Sequence, residues 1–178
     1  MRAVPVTQLL TRWQTLGALS VGAALAGAGF AHYGFGAHAA VGAILCPALA
    51  LLSAIDLRHR LLPDIIVLPA AIATGVLVAV WEPHHLVTHL IAAGVASAIL
   101  LAAALVQPGS MGLGDVKLAL LIGVALGSRT IAAAGYLSIG ILAVSAILVA
   151  RRGRDGLKTK IAFGPLMALG ALVAFFSG

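Results

Sequence analysis

Residues 39–56 read AAVGAILCPALALLSAID: seventeen residues carry no charge, and the eighteenth, Asp56, is a carboxylate. A run of this length and apolarity matches the roughly 20 residues that cross a hydrocarbon core as a helix. A group as costly to place near lipid as Asp56 marks a functional position rather than a random one. Working outward, similar apolar runs fall at about 15–32, 64–81, 86–106, 115–127, 130–150 and 161–177. The pattern predicts an all-α polytopic bundle of about seven transmembrane spans, with the run at 115–127 short for a full crossing.

The whole composition agrees. Of 178 residues, 62% are hydrophobic and 9% are charged, and the mean hydropathy is +1.14. A water-soluble domain with a polar surface does not sustain such values. The 21 glycines show no collagen-like period and suit helices that approach closely in a bilayer. No stretch between the runs has room for a separate soluble domain, so residues 1–178 read as one integral membrane domain.

A formal charge of +6 raises the question of nucleic acid. The basic residues, however, sit in short clusters between apolar runs, which is how cytoplasmic loops are marked. Alternating seven spans from a cytoplasmic N-terminus places ten of the eleven Lys and Arg inside and only Arg129 outside. The charge therefore reads as topology, with a lipid bilayer and no nucleic acid as partner. The segment Arg151 to Lys160, RRGRDGLKTK, is a loop that holds this topology. Arg2 and Arg12 precede an apolar stretch and resemble the start of a signal peptide, but no clear cleavage site follows, so the first span is expected to stay in the membrane. The single cysteine, Cys46, excludes an intramolecular disulfide and a CxxC zinc site and reads as a buried thiol.

Only five residues are acidic: Asp56, Asp64, Glu82, Asp115 and Asp155. Asp56 ends the second run in SAIDLRHRLLPD, and Asp115 opens the fifth in MGLGDVKLAL. The alternation brings both to one membrane face. Two carboxylates held together in a partly desolvated site do not both ionise cheaply, so they are expected to titrate as a coupled pair holding one proton. That is the state an aspartic protease uses, one carboxylate taking a proton from attacking water while the other polarises the scissile carbonyl. This chemistry needs no metal, no cofactor and no nucleophilic side chain.

Plainer readings stand beside these. Asp115 has the spacing of a helix N-cap, and Asp56 is placed to pair with Arg58 or Arg60. Asp64, after Pro63, reads as a helix-start residue and as the reserve candidate for the pair. Gly112 and Gly114 are expected to let the backbone turn tightly, through positive φ and absence of bulk, and to bring a substrate strand close to Asp115. Lys117 either tunes Asp115, contacts substrate or snorkels to the headgroups. His85 and His89 share a helix face, but Leu86 stands where the HExxH metalloprotease motif needs glutamate. Ser138 in GYLSIG lacks a histidine partner and reads as a packing residue.

These residues together resemble the type IV prepilin peptidase family of GxGD aspartyl membrane proteases. Asp56-Leu57, Leu62-Pro63-Asp64 and Leu68-Pro69 are similar to its DLxxxxLPDxxxLP signature. Gly112-Leu113-Gly114-Asp115-Val116-Lys117-Leu118 is similar to its GxGDxKL partner. Phe163-Gly164-Pro165 with Ala168-Leu169-Gly170-Ala171 resembles the FGPxLAxGA segment near the family's C-terminus. The resemblance covers about residues 40–175. It implies Asp56 and Asp115 as the aspartyl dyad; Gly112, Gly114, Lys117, Asp64 and Pro63 are expected beside them as supporting or substrate-binding positions. It further implies cleavage of prepilin or pseudopilin precursors after a glycine, at the cytoplasmic face of a bacterial inner membrane, in type IV pilus or type II secretion systems. Long members also carry a cysteine-rich zinc segment and N-methylate the new terminus. This chain has neither the four cysteines nor room for that segment, so the resemblance carries the methyltransferase only weakly. Two other readings compete: a presenilin-like GxGD intramembrane protease, which matches the LPD context less well, and a proton-coupled carrier, which needs polar groups continuing across the bilayer.

Overall fold

In a computed structural model the chain forms an all-helical bundle, described over residues 12–106, 112–152 and 163–177. Its helices are α1 (Arg12–Tyr33), α2 (Ala37–His59), α3 (Asp64–Trp81), α4 (Leu86–Val106), α5 (Leu113–Leu126), α6 (Thr130–Arg152) and α7 (Phe163–Phe176), with single 3₁₀ turns at Pro83–His85 and Gly127–Arg129. Each apolar run of the sequence is therefore a helix, and α3 and α4 keep the expected bounds. The Arg151–Lys160 loop lies almost wholly outside the described residues.

The number of crossings differs from the seven expected. Among the described residues five stretches are long and apolar enough to cross a membrane: Trp13–Tyr33, Ala37–His59, Asp64–Trp81, Pro83–Val106 and Leu113–Ile141; Phe163–Phe176 is a shorter apolar helix. The count is thus five to six. The reason lies in α5, whose 14 residues span only about 21 Å at about 1.5 Å per residue, short of a hydrocarbon core of about 30 Å. It runs through Gly127–Arg129 into α6 with no extended loop between them. Gly127 makes that turn at φ +55, a conformation glycine adopts without penalty.

Beyond Asp115 and Lys117 near its start, helix α5 is apolar all round and is the centre of the bundle. Leu118, Leu121, Ile122, Val124 and Leu126 are all buried, as expected of a helix enclosed by its neighbours. Leu45, Leu49 and Leu52 of α2, Val67 of α3 and Phe175 of α7 complete the core. By contrast Ile72, Ile99, Leu105 and Ile131 point outward from α3, α4 and α6, surface that water would not tolerate on this scale and lipid does. Cys46 is fully buried, as the sequence suggested.

Small residues set the helix crossings. A Cβ on Gly22 would come within 2.4 Å of Pro47 Cα, where α1 crosses α2. One on Gly123 would lie 2.3 Å from Ala93 Cα, where α5 crosses α4, and one on Gly170 would lie 2.7 Å from the Ala133 carbonyl oxygen, where α7 crosses α6. These are backbone-to-backbone approaches, the packing that drives helix association where lipid removes the hydrophobic contrast. At one end of the bundle lie the end of α2 and the starts of α3, α5 and α7. At the other, the Tyr33 hydroxyl donates to the Phe175 carbonyl and His38 meets Glu82.

Candidate active site

The site is built where α2 ends. The amide of Arg60 donates to the Asp56 carbonyl at 2.9 Å, closing the helix with Arg60 in the left-handed region at φ 50. A non-glycine residue there is uncommon and is held by its surroundings. The chain then runs through Leu61 and Leu62 to Pro63, whose carbonyl accepts from Ile66 at 3.1 Å and Val67 at 3.3 Å. Pro63 thus starts α3, and Asp64 is its first residue, a favourable place for a negative charge beside the helix's positive end.

Asp56 is buried on α2 at 6% exposure. Its Oδ2 accepts the Gly164 amide at 3.0 Å, joining α2 to the start of α7. A Cβ on Gly164 would lie 2.7 Å from that oxygen, so only glycine admits the carboxylate at this distance. Arg60 lies within Coulombic range of Asp56. The plain expectation of a pairing with a nearby arginine is therefore met in part, while the hydrogen bond goes to a residue remote in sequence.

Asp115 sits in the first turn of α5 at 9% exposure. The Gly112 amide donates to Asp115 Oδ2 at 3.3 Å, and the Asp115 amide donates back to the Gly112 carbonyl at 3.0 Å. Asp115 is thus the third helical residue, reaching back over the start of the helix, and Gly112 takes the cap position assigned to Asp115 from spacing. Asp56 lies within Coulombic range of Asp115. Two buried carboxylates from separate helices therefore share one end of the bundle, each with its Oδ2 held by a backbone amide.

The supporting residues divide. Gly112 has φ −84 and ψ 148, which any residue adopts, and Gly114 is helical, so the expectation of positive φ at these two glycines is corrected. Absence of bulk is what matters at Gly114: a Cβ there would come within 2.8 Å of Leu62 Cβ. Leu62 of the α2–α3 connection occupies that space. Lys117 Nζ donates to Asp64 Oδ2 at 2.7 Å, with side chains 38% and 55% exposed. The pair ties the start of α3 to α5 and gives the Asp64 carboxylate a lysine partner. Leu62 on Gly114 and Asp64 on Lys117 bracket Asp115 between them.

Gly164 was not among the site residues the sequence suggested. Its segment was visible as Phe163-Gly164-Pro165, but its partner lies 108 positions away, and such a contact leaves no local trace. Ser138 is exposed on α6, where its Oγ donates to the Ala134 carbonyl at 2.8 Å within the same helix, so the packing role expected of it is not what the structure gives. His89 Nδ1 lies 2.7 Å from the Val124 carbonyl, an imidazole engaged by backbone at the far end of the bundle.

A scan of protein families matches residues 43–153 to the type IV leader peptidase family. The matched range contains Asp56, Pro63, Asp64, Gly112, Gly114, Asp115 and Lys117 and ends before Gly164. Comparison with curated proteins and with solved structures gave no match. With more than half of its length matched, this membrane chain belongs to the type IV leader peptidase family.

Proposed function

We propose that the chain is an aspartyl endopeptidase that removes the leader peptide of type IV prepilins or pseudopilins, after a glycine, with Asp56 and Asp115 as the catalytic pair. The observation that carries this reading is the pairing itself: two buried carboxylates from α2 and α5 within Coulombic range of one another. Structural carboxylates are seldom buried beside a like charge, and functional ones often are.

In the proposed reaction the ionised member of the pair takes a proton from water as that water attacks the scissile carbonyl. The protonated member donates a hydrogen bond to the carbonyl oxygen, and a proton then passes to the leaving amine. Gly164 and Gly112 hold one oxygen of each carboxylate from the backbone, which fixes both groups without bringing a competing charge into the site. Exposed Leu57, Leu61 and Leu113 flank the pair with apolar surface suited to the hydrophobic stretch that follows a pilin leader.

The orientation belongs to the same proposal. Arg58, Arg60 and Lys117 accompany the carboxylates and Arg129 occupies the opposite end, a distribution that supports a cytoplasmic site by the positive-inside rule. A carrier is disfavoured by the interior, where Leu49, Leu52, Val67, Leu118 and Leu121 fill the space between the two ends. The test is incubation of the purified protein with a panel of pilin-like precursors in the presence of a chelator, reading the products by mass spectrometry. Chelator-resistant cleavage directly after the leader glycine supports the assignment; a folded protein that cuts no precursor counts against it.

A further inference from the structure

The end of the bundle remote from the carboxylates holds a cleft of about 180 Å³ whose polar lining includes His38, Glu82, His85, Thr88, Ser128 and Arg129. Its volume is well beyond the about 30 Å³ that one water takes in the liquid. An adjoining recess of about 190 Å³ shares His38 and Arg129 and reaches Tyr33. None of this is used by the peptidase reading.

The charges in the cleft are arranged in an unusual way. Among the described residues the Arg129 guanidinium makes no hydrogen bond and no ion pair, though the residue is only partly exposed. Glu82 lines the same small cleft but is held by His38 Nδ1 at 3.3 Å and not by Arg129. A guanidinium and a carboxylate are thus presented to one space from two different turns, without neutralising each other. The ligand that answers such a pair carries an anion and a cation a few ångströms apart. A metal ion does not: among the described residues no three histidine, cysteine or acidic side chains gather to hold one.

The location narrows the class. Tyr33, Phe35 and Trp81 stand at this end, with Phe35 and Trp81 exposed, and aromatic side chains of this kind mark the headgroup level of a membrane. We propose that the cleft binds the headgroup of a zwitterionic phospholipid of the phosphoethanolamine type. The phosphate lies at Arg129 with the hydroxyls of Ser128 and Thr88, and the primary ammonium lies at Glu82. Arginine suits a phosphate oxygen pair through its planar fork. An ammonium with N–H donors suits Glu82 better than a quaternary one, which donates no hydrogen bond.

The experiment is native mass spectrometry of the full-length detergent-purified protein titrated with phosphatidylethanolamine, phosphatidylglycerol, phosphatidylcholine and soluble glycerophosphoethanolamine. The expected result is tighter binding of phosphatidylethanolamine than of the other two lipids, by about tenfold, the effect of one charge-assisted hydrogen bond. Arg129→Gln lowers that affinity about tenfold by the same reasoning, whereas Arg129→Lys, which keeps the charge, retains the preference and so separates lost charge from lost fold. Glu82→Gln erases the preference for phosphatidylethanolamine over phosphatidylglycerol while leaving binding of both. Equal binding of the three lipids by the wild type, or an Arg129→Gln variant with unchanged affinity, overturns the proposal. Glycerophosphoethanolamine bound as tightly as the lipid overturns the membrane source and leaves a small phosphate ester as ligand.

Discussion

The amide of Gly164 donates to Asp56 Oδ2 at 3.0 Å, and a Cβ on that glycine would stand 2.7 Å from the same oxygen. The bond fixes the orientation of one carboxylate of the pair from α7, a helix remote from it in sequence. Asp56 and Gly164 are therefore one unit, and the glycine is a positioning residue for the carboxylate.

Gly164→Ala is expected to push the Asp56 carboxylate from its place. Loss of orientation at a catalytic group lowers kcat by about 10²-fold, while the fold, with α7 packed along its whole length, loses far less. Steady-state cleavage of a precursor, together with a thermal melt in detergent, checks this. A variant with full kcat shows that the bond does not position Asp56.

Gly114 faces a different neighbour. Gly114→Ala places a Cβ 2.8 Å from Leu62 Cβ and is expected to destabilise the protein by about 1–3 kcal/mol through overpacking. The double variant Gly114→Ala with Leu62→Ala recovers part of that loss, because the two residues share one space. Gly112→Ala, whose nearest atoms would lie at 3.8 Å, is expected to be nearly neutral. Equal damage from Gly112→Ala and Gly114→Ala contradicts the account; a denaturant titration decides.

Asp64 and Lys117 make a single exposed pair, and such pairs contribute about 0–1 kcal/mol. Asp64→Asn is expected to leave cleavage within a few-fold of wild type and to lower the melting temperature slightly, by less at high salt. Cleavage abolished by Asp64→Asn returns that residue to the catalytic pair, and Asp115 or Asp56 then holds the lesser role.

What was legible in the sequence was whatever is periodic or local. Apolar runs gave each helix, and carboxylates at the ends of those runs gave Asp56 and Asp115 as candidates. Run length alone did not separate a crossing from a buried helix: α5 is short because it is wrapped by protein, not lipid, so the number of spans was read too high. The partners of the site residues were equally hidden. Lys117 on Asp64, Leu62 on Gly114 and Gly164 on Asp56 are contacts between distant segments, and each depends on how helices cross. The positive φ expected at Gly112 and Gly114 occurs instead at Gly127, where the chain turns between α5 and α6.

Gly123 tests the crossing that carries α5. Its Cβ would lie 2.3 Å from Ala93 Cα, and backbone does not move aside as a side chain does. Gly123→Leu is expected to separate α4 from α5 and to destabilise the protein by about 3 kcal/mol, measured as loss of folded protein in a denaturant titration. Gly94→Leu, one residue from Ala93 with open space around it, is the matched control and is expected to be tolerated. A Gly123→Leu variant as stable as this control contradicts the crossing.

The central claim is that Asp56 and Asp115 act as a pair, and the most direct test is to compare Asp56→Asn, Asp115→Asn and the wild type on one cleaved precursor. Asparagine keeps the shape of each side chain and removes its ability to exchange a proton. Cleavage after the leader glycine is expected of the wild type, with its loss, by about 10³-fold or more, in each single variant and no further loss in the double variant. Cleavage retained by both single variants would contradict the claim.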